Sequence, residues 1–257
     1  MEDRNTLGLR PLTARSIVLS TLLGTHPARL PVRALIRAGE LFGVAEGTIR
    51  VALSRMVAAG DLAQDGGRYQ LTARLLDRQA RQDESRAPRT RPWDGSWETC
   101  VITAERRPAP ERAALRQAMT AHRLAELREG VWLRPANLDR PLPAAITSRC
   151  LLLGARPSGD PARLAADLWD LGGWAGRARA LVTALDRASG LAEGFMVSAA
   201  VLRHLLADPL LPPELAPPGW PGEALRARYD DFDRTYRTLL HAHLTGSPEP
   251  VPFVDGA

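Results

Sequence analysis

The chain has 257 residues, of which 45% are hydrophobic and 25% are charged. These proportions predict a folded globular protein and exclude a chain that is disordered throughout. The apolar runs are too short for a transmembrane helix, and the N-terminal stretch lacks the apolar core of a secretory signal, so we expect a cytoplasmic protein without a membrane partner. Cys100 and Cys150 are the only cysteines, and two isolated thiols predict neither a disulfide framework nor a zinc site.

Positive charge is concentrated in the first third of the chain. All 34 basic residues are arginine, because the sequence contains no lysine. Residues 1–91 contain 15 arginines and 9 acidic residues, whereas residues 92–257 contain 19 and 20. A nucleic acid partner would explain this asymmetry, since each phosphate contact needs a cation. A merely solvated basic surface is the alternative.

Hydrophobic periodicity in the first third predicts three helices followed by a hairpin. The helices are expected over residues 13–24, 31–43 and 45–59. The sequence Asp65-Gly66-Gly67 lies between two short strand-like runs and predicts a tight turn. Two helices joined by a short glycine-containing turn and followed by a hairpin are typical of a winged helix-turn-helix.

The helix over residues 45–59 is the candidate reader of double-stranded DNA. Its apolar residues Ile49, Ala52, Leu53, Met56 and Val57 are expected to face inward, which turns short polar and cationic side chains outward toward a major groove. Arginines on the preceding helix and beside the hairpin turn are expected to contact phosphate, although a solvated or ion-paired surface group is the alternative for each. The predicted DNA-binding residues are Arg33, Thr48, Arg50, Ser54, Arg55 and Arg68, with Arg37 as a further phosphate contact.

The middle of the chain predicts a small α+β domain. The polar stretch 77–92 indicates the end of a helix and then a linker, so the DNA-binding domain and linker are assigned to residues 1–91. The apolar run Cys150–Leu153 is typical of a buried strand. A ferredoxin-like domain is expected over residues 92–160, with strands over 97–103, 131–134 and 149–155 and a helix over 110–127.

The last third predicts a helical C-terminal domain over residues 161–257. A proline-rich loop over 208–222 interrupts it, and residues 247–257 are expected to form a tail. The helices are expected over residues 161–171, 174–185, 192–206 and 223–244. The chain as a whole is therefore predicted to be an α+β multidomain protein.

All six tryptophans lie beyond the predicted DNA-binding domain. Core or interface packing explains most tryptophans, but some could line a pocket for an aromatic or acyl ligand. The candidate ligand-binding residues are Trp132, Arg134, Trp169, Trp174 and His204.

Two alternatives to a ligand-responsive regulator remain open from the residues. The common nucleotide-binding, zinc-protease and serine-hydrolase motifs are absent, so we expect no catalytic residue, no metal site and no resident cofactor. A metal-dependent nucleic-acid-processing enzyme would need clustered carboxylates, and Asp94 and Glu98 are the nearest candidates. A constitutive DNA-binding protein without an effector is the second alternative.

Four stretches of the chain, in order, resemble the PaaX family, the repressors of phenylacetic acid catabolism. The first is LIRAGELFGVAEGTIRVALSRMVAAGDL, residues 35–62, followed by GGRYQLT, residues 66–72. The others are RPWDGSWETCVIT at 91–103, GVWLRPANL at 130–138 and RHLLADPLLPPELAPPGWPGEALRARYDDF at 203–232.

This resemblance implies a winged-helix domain, a ferredoxin-like middle domain and a helical C-terminal domain. It implies a homodimer on an operator with two half-sites, and relief of repression by an acyl-CoA, phenylacetyl-CoA in the founding members. The middle domain of such proteins is similar in fold to a CRISPR-associated nuclease, but fold alone does not carry nuclease activity to this chain. The segment LAEGFMVSAAVLRHLLADP, residues 191–209, is less polar than is usual in the family, so the effector stays open among another acyl-CoA, an aromatic metabolite and none.

Overall fold

The computed structural model describes residues 7–103 and 108–245, and the predicted tail lies outside this range. The described residues form two compact units. Unit 1 comprises residues 7–83, 177–203 and 223–245; unit 2 comprises residues 84–103, 108–176 and 204–222. The division of the chain into three domains, over residues 1–91, 92–160 and 161–257, stays a prediction.

The N-terminal part of unit 1 contains the three predicted helices and the predicted hairpin. Helix α1 begins with a capping box in which Thr13 Oγ1 accepts a hydrogen bond from the Ser16 N–H. Gly66 and Gly67 both have positive φ, 53° and 75°, the backbone that a two-residue hairpin turn requires. The elements are α1 (Ala14–Leu23), β1 (Arg29–Pro31), α2 (Val32–Glu40), α3 (Glu46–Ala58), β2 (Leu62–Asp65) and β3 (Arg68–Leu71).

A single apolar core joins these elements. The strands form an antiparallel sheet in the order β1-β3-β2, with Asp65 opposite Arg68 next to the turn. The buried residues come from all three helices and from both hairpin strands, because each element turns one apolar stripe inward. They include Val18, Leu22, Leu35, Ile49, Leu53, Met56, Leu62 and Leu71.

Helix α4 (Ala73–Arg86) is longer than its polar sequence predicts. Part of the stretch over residues 77–92, expected to end a helix and become a linker, continues the helix to Arg86. The reason is a buried polar contact: Gln79 Nε2 donates hydrogen bonds to the carbonyls of Leu23 and Thr25, at 2.8 and 2.9 Å. These carbonyls lie at and just beyond the C-terminal end of α1, where orphan acceptors need donors. A glutamine in this role leaves no apolar signal in the sequence.

Unit 2 is built on a four-stranded antiparallel sheet. The strand order is β5-β6-β4-β7, and the chain order βαββαβ with this arrangement is ferredoxin-like, as predicted. Helices α5 and α6 contribute to a core around Cys100 and Trp132, whereas α7 packs in a core around Trp97 and Leu133. The elements are β4 (Trp97–Ile102), α5 (Ala109–Ala121), β5 (Ala125–Arg128), β6 (Val131–Pro135), α6 (Ala144–Thr147), β7 (Cys150–Ala155) and α7 (Pro161–Leu168).

Two predictions for this sheet were wrong. The helix expected over residues 110–127 ends at Ala121, and the chain reverses through Arg123, whose φ is 64°, into strand β5. Strand β7 was expected to be buried, but it lies at the edge of the sheet, and its residues Leu151, Leu152 and Leu153 are 52%, 45% and 47% exposed. An apolar run predicts a strand without deciding whether other elements cover it.

The C-terminal helices confirm the predicted helical pattern. They are α8 (Leu171–Asp186), α9 (Leu191–Leu205) and α10 (Gly222–Thr245). Within unit 1, Phe195 of α9 packs on Phe42 and Tyr236, with ring centroids 4.8 and 5.3 Å apart, and the Tyr236 hydroxyl lies 2.9 Å from Thr21 Oγ1. None of the helices in the described part of the chain is long and apolar enough to cross a membrane.

Candidate nucleic-acid interface

Helix α3 is anchored by one face and exposed by the other. Ile49, Leu53 and Met56 are at most 1% exposed, as predicted for the inward face. At 3.6 residues per turn, this anchoring turns the opposite face to solvent. The exposed residues there include the four predicted ones, Thr48, Arg50, Ser54 and Arg55.

The close approach of α2 to α3 depends on a glycine. A Cβ atom added at Gly39 of α2 would lie 2.6 Å from Ile49 Cγ1 of α3, far inside contact distance. Gly39 and Ile49 are both buried. The absence of a side chain at residue 39 therefore lets α2 support α3 from behind while the polar face of α3 stays exposed.

The two arginines on the outward face of α3 differ in their partners. Arg50 Nε donates a hydrogen bond to Glu46 Oε1 at 2.7 Å, in an exposed ion pair one turn apart. Arg55 has no ion pair or side-chain hydrogen bond with any residue that the structure describes. Exposed ion pairs of this kind contribute about 0.3–0.5 kcal/mol, so an incoming anion can displace Glu46.

Val51 is a residue on this face that sequence reasoning missed. It is 51% exposed, between Arg50 and the half-buried Ala52. Apolar side chains at such a position contact thymine methyl groups in a major groove. Helical spacing alone indicates that Val51 is exposed, since it does not lie on the face of α3 that carries the buried residues Ile49, Leu53 and Met56.

The flanking arginines lie on α2 and at the hairpin. Arg33 and Arg37 are exposed on α2, and Arg37 lies 3.5 Å from Glu40. Arg68 is exposed next to the hairpin turn and forms no side-chain hydrogen bond or ion pair with another described residue. Its cross-strand neighbour Asp65 is already paired, with Arg29, at 2.6 Å.

The candidate ligand-binding residues do not converge on one site. Trp132 and Arg134 both lie in β6, where they are 4% and 1% exposed. Arg134 donates hydrogen bonds to Glu98 Oε2 and to the carbonyls of His122 and Arg140, at 2.8, 2.7 and 2.9 Å. These contacts place Arg134 in the interior of unit 2 rather than at an open pocket.

The remaining candidates form two separate aromatic contacts. Trp174 stacks on His204 with ring centroids 4.5 Å apart, and Trp220 stacks on Trp174 at the same distance. His204 Nε2 is also 3.0 Å from the Trp174 carbonyl. Trp169 instead stacks on Trp97 at 6.4 Å, in the core that includes α7. The structure thus brings together only Trp174 and His204 of the five candidates.

The carboxylates considered for a metal-dependent enzyme are both engaged with other groups. Asp94 accepts hydrogen bonds from the side chain and the N–H of Ser96, which lower the pKa of this carboxyl group. Glu98 forms an ion pair with Arg134 at 2.7 Å. No group of three or more His, Cys, Asp or Glu side chains with the spacing of a metal site occurs among residues 7–103 and 108–245.

Three known protein families match consecutive parts of the chain. Residues 13–75 match the PaaX-like protein family, residues 90–150 match the PaaX protein central Cas2-like domain, and residues 173–246 match the PaaX-like protein C-terminal domain. These matches place the chain among DNA-binding transcriptional regulators. It belongs to the PaaX family.

A solved structure agrees with this fold over most of the chain. It is the uncharacterized protein Rv0674 from Mycobacterium tuberculosis, which is 48% identical, with a TM-score of 0.78. The alignment covers 91% of this chain and 99% of that chain. No curated protein matches the sequence significantly.

Proposed function

We propose that this protein is a repressor that reads operator DNA with a winged helix-turn-helix formed by residues 13–75, in which α3 is the recognition helix. The observation that carries the proposal is the outward face of α3, where Arg50 and Arg55 are exposed while Ile49 and Leu53 anchor the helix. Membership of a family of transcriptional regulators supports it.

The dimensions of the region suit a major groove. The 13 residues of α3 extend about 20 Å, and a B-DNA major groove is about 12 Å wide, enough to admit one helix. Arg50 and Arg55 would pair with guanine edges or phosphates, and Thr48 and Ser54 would donate hydrogen bonds to nearby phosphates. Arg33 and Arg68 would contact the backbone on either side.

Substitution of both Arg50 and Arg55 tests this proposal. DNA from upstream of the protein's own gene is titrated with wild type and with the double variant Arg50→Ala plus Arg55→Ala, using fluorescence anisotropy. We expect an affinity loss of at least about 100-fold and a shallower salt dependence, because two cationic contacts are removed. Arg163→Ala on α7 is the matched control, since Arg163 is an exposed arginine in unit 2. Unchanged binding by the double variant would contradict the assignment of α3.

We further propose a homodimer that pairs through strand β7. Three consecutive leucines of an edge strand are exposed, Leu151 and Leu153 on one face of the sheet and Leu152 on the other, next to unpaired backbone groups, a combination that monomeric proteins avoid. A second copy would pair the two edges about a two-fold axis and place the leucines of both strands side by side, where they pack on one another. Such a dimer presents two recognition helices to two half-sites.

Sedimentation velocity tests the dimer with a matched pair of variants. Leu152→Glu places a charge on the β7 edge, and Leu127→Glu places one on the opposite edge strand, β5, where Leu127 is 51% exposed. We expect Leu152→Glu to be a monomer at concentrations where the wild type and Leu127→Glu are dimers. Dissociation by Leu127→Glu alone would assign the contact to β5 instead.

We also propose that a small-molecule effector, an acyl-CoA or an aromatic metabolite, relieves repression. Family membership supports this part. An effector must bind the DNA-incompetent state more tightly than the DNA-bound state. Phenylacetyl-CoA, acetyl-CoA and phenylacetate are the probes. We expect one of them to raise the melting temperature and weaken DNA binding, and an absence of both effects for all three would favour a constitutive DNA-binding protein.

A further inference from the structure

Val51 lies at the centre of the exposed face of α3. Successive residues of a helix are rotated by about 100°, which places Val51 about 160° around the axis from both Ile49 and Leu53. Those two residues are fully buried, whereas Val51 is half exposed. A valine at this position adds nothing to the core, and valine forms a helix less readily than alanine does. The packing of unit 1 therefore does not explain why an outward residue of α3 is a valine.

Arg55 is the arginine closest to Val51 on this face. It follows Val51 by four residues, so the two are about 6 Å apart along the helix axis and about 40° apart around it. Side chains of a helix lean toward its N-terminus, which brings the Arg55 guanidinium group within reach of a partner that contacts Val51. Arg55 has no ion pair or side-chain hydrogen bond within the described part of the chain, so its donors are open to that partner.

Arg50 lies at the margin of the same face. It is about 100° around the axis from Val51, and its Nε donates a hydrogen bond to Glu46 Oε1, one turn back along the helix. A helix that lies in a major groove has base edges in front of it and phosphates on either side. Val51 and Arg55 are therefore the residues placed to meet bases, and Arg50 is placed to meet phosphate.

Gly47 leaves space for a close approach at the same face. It lies one turn before Val51 and is exposed. A Cβ atom added to Gly47 would have no described atom from another part of the chain within 4 Å, and Gly47 is not among the glycines with positive φ. Neither packing nor backbone conformation therefore requires glycine here, although glycine is a poor helix former. The missing side chain instead lets a partner approach the backbone in the first turn of α3.

We propose that α3 selects a thymine next to a guanine, with Val51 on the 5-methyl group of the thymine and Arg55 on O6 and N7 of the guanine. This inference rests on the proposed function and adds which bases the recognition helix reads and which residue reads each. Thymine presents a methyl group in the major groove, and guanine presents two acceptors that fit the guanidinium fork. The separation of about 6 Å between Val51 and Arg55 is less than two base-pair steps of about 3.4 Å, so the two side chains meet neighbouring base pairs.

The thymine contact is tested by removing single methyl groups from the DNA. Thymines of the upstream DNA are replaced by deoxyuridine one at a time, across the region that the wild type protects from cleavage, and affinity is measured by fluorescence anisotropy. We expect the wild type to bind about fourfold more weakly when one particular thymine is replaced, because the burial of one methyl group is lost. Val51→Ala should bind the substituted and unsubstituted DNA equally.

Leu127→Ala is the matched control for Val51→Ala. Leu127 is exposed to the same extent as Val51 but lies in β5, outside the recognition helix, so this variant should lose the same fourfold as the wild type. If the wild type binds the DNA and no deoxyuridine substitution weakens it, or if Val51→Ala still loses the fourfold, the thymine contact is overturned while the proposed DNA-binding function stands. Absence of DNA binding by the wild type would overturn both.

The guanine contact is tested in the same way with 7-deazaguanine, which lacks the N7 acceptor. At the guanine beside that thymine, we expect the wild type to bind about three- to tenfold more weakly. Arg55→Ala should bind both DNAs equally. Arg50→Ala should still distinguish them and should show a shallower salt dependence, because a phosphate contact is lost. Discrimination that is lost in Arg50→Ala and kept in Arg55→Ala would overturn these roles.

Gly47→Ala separates a role in DNA contact from a role in folding. Alanine forms helices better than glycine, so the melting temperature should rise or stay unchanged, while a methyl group between helix and DNA should weaken binding at least about tenfold. Gly172→Ala is the matched control, since Gly172 is also the second residue of its helix, is exposed and has open space around its Cβ position. This control should leave DNA affinity unchanged. Unchanged DNA affinity in Gly47→Ala would overturn the close approach of α3 to the bases.

Discussion

Arginine occupies opposite environments in the two units. On α3, Arg50 and Arg55 are exposed, and Arg55 has no side-chain partner among the described residues. In β6, Arg134 is 1% exposed and donates hydrogen bonds to a carboxylate and two carbonyls. The same side chain is thus open to an incoming partner where it faces solvent, and it supports the fold where buried acceptors hold it. Substitutions at the two places should therefore separate DNA affinity from the free energy of unfolding.

The largest expected effect is that of Arg134→Met. This change leaves Glu98 and the carbonyls of His122 and Arg140 without their donor, and breaking a buried charged network costs about 3–5 kcal/mol. Urea unfolding measures the loss. The DNA affinity of the folded variant should remain within about twofold of wild type. A loss below 1 kcal/mol would show that the buried arginine contributes little.

The dependence of stability on pH tests the same region at His122, whose carbonyl accepts a hydrogen bond from Arg134. Burial lowers the pKa of His122 to about 4, from an ordinary value of 6.5. Because the unfolded chain binds this proton first, the stability contribution is complete above pH 6.5 and is lost as the pH falls toward 4, by up to about 3 kcal/mol. Urea unfolding of wild type and His122→Gln at pH 7.5 and pH 4.5 is the measurement. The variant should show a smaller loss at low pH; identical losses would contradict the assignment.

Gly39→Ala tests whether the packing behind α3 couples stability to DNA affinity. A Cβ atom at 2.6 Å from Ile49 Cγ1 forces α2 and α3 apart, and overpacking of this kind costs about 1–3 kcal/mol. Unlike Arg134→Met, this change should also weaken DNA binding, because it displaces the outward face of α3. Gly176→Ala is the control, since that glycine has open space around its Cβ position. Normal DNA affinity in folded Gly39→Ala would show that α3 tolerates the displacement.

The smallest expected effect comes from Glu46→Gln, which releases Arg50 from its exposed ion pair. The free energy of unfolding should fall by about 0.5 kcal/mol, because the pair and a favourable charge at the helix N-terminus are lost. DNA affinity should rise about two- to fivefold, since a negative charge facing phosphate is removed. Thermal unfolding and anisotropy measure the two changes. A fall in DNA affinity would indicate that Glu46 positions Arg50 for binding.

The features of the fold that were predicted correctly are those that depend on residues close together in the sequence. The three N-terminal helices end within about three residues of their predicted limits, and the Asp65-Gly66-Gly67 turn lies where its residues require it. The inward face of α3 followed from spacing alone, because residues three and four apart lie on one side of a helix. The candidate DNA-binding residues are exposed for the same reason.

The wrong and missed features depend on contacts distant in sequence. Helix α4 continues through a polar stretch because Gln79 reaches carbonyls near the end of α1. The three leucines of β7 are exposed at the edge of the described sheet, since the burial of a strand depends on the elements packed on its faces and not on its own apolar run. Arg134, whose role in ligand binding stays a prediction, is held by acceptors from three separate segments.

Local sequence patterns are enough to identify the arginine-rich N-terminal third, most of the helices and strands in their order, and the family to which the chain belongs. Periodicity and turn chemistry operate over a few residues, so they can be recognised without a structure. Which arginines remain available depends instead on the tertiary structure. The fold buries Arg134 among acceptors from separate segments and leaves Arg55 exposed. Whether an arginine can bind a partner depends on which groups, distant in sequence, the fold brings within a few ångströms of it. No local sequence pattern shows those contacts.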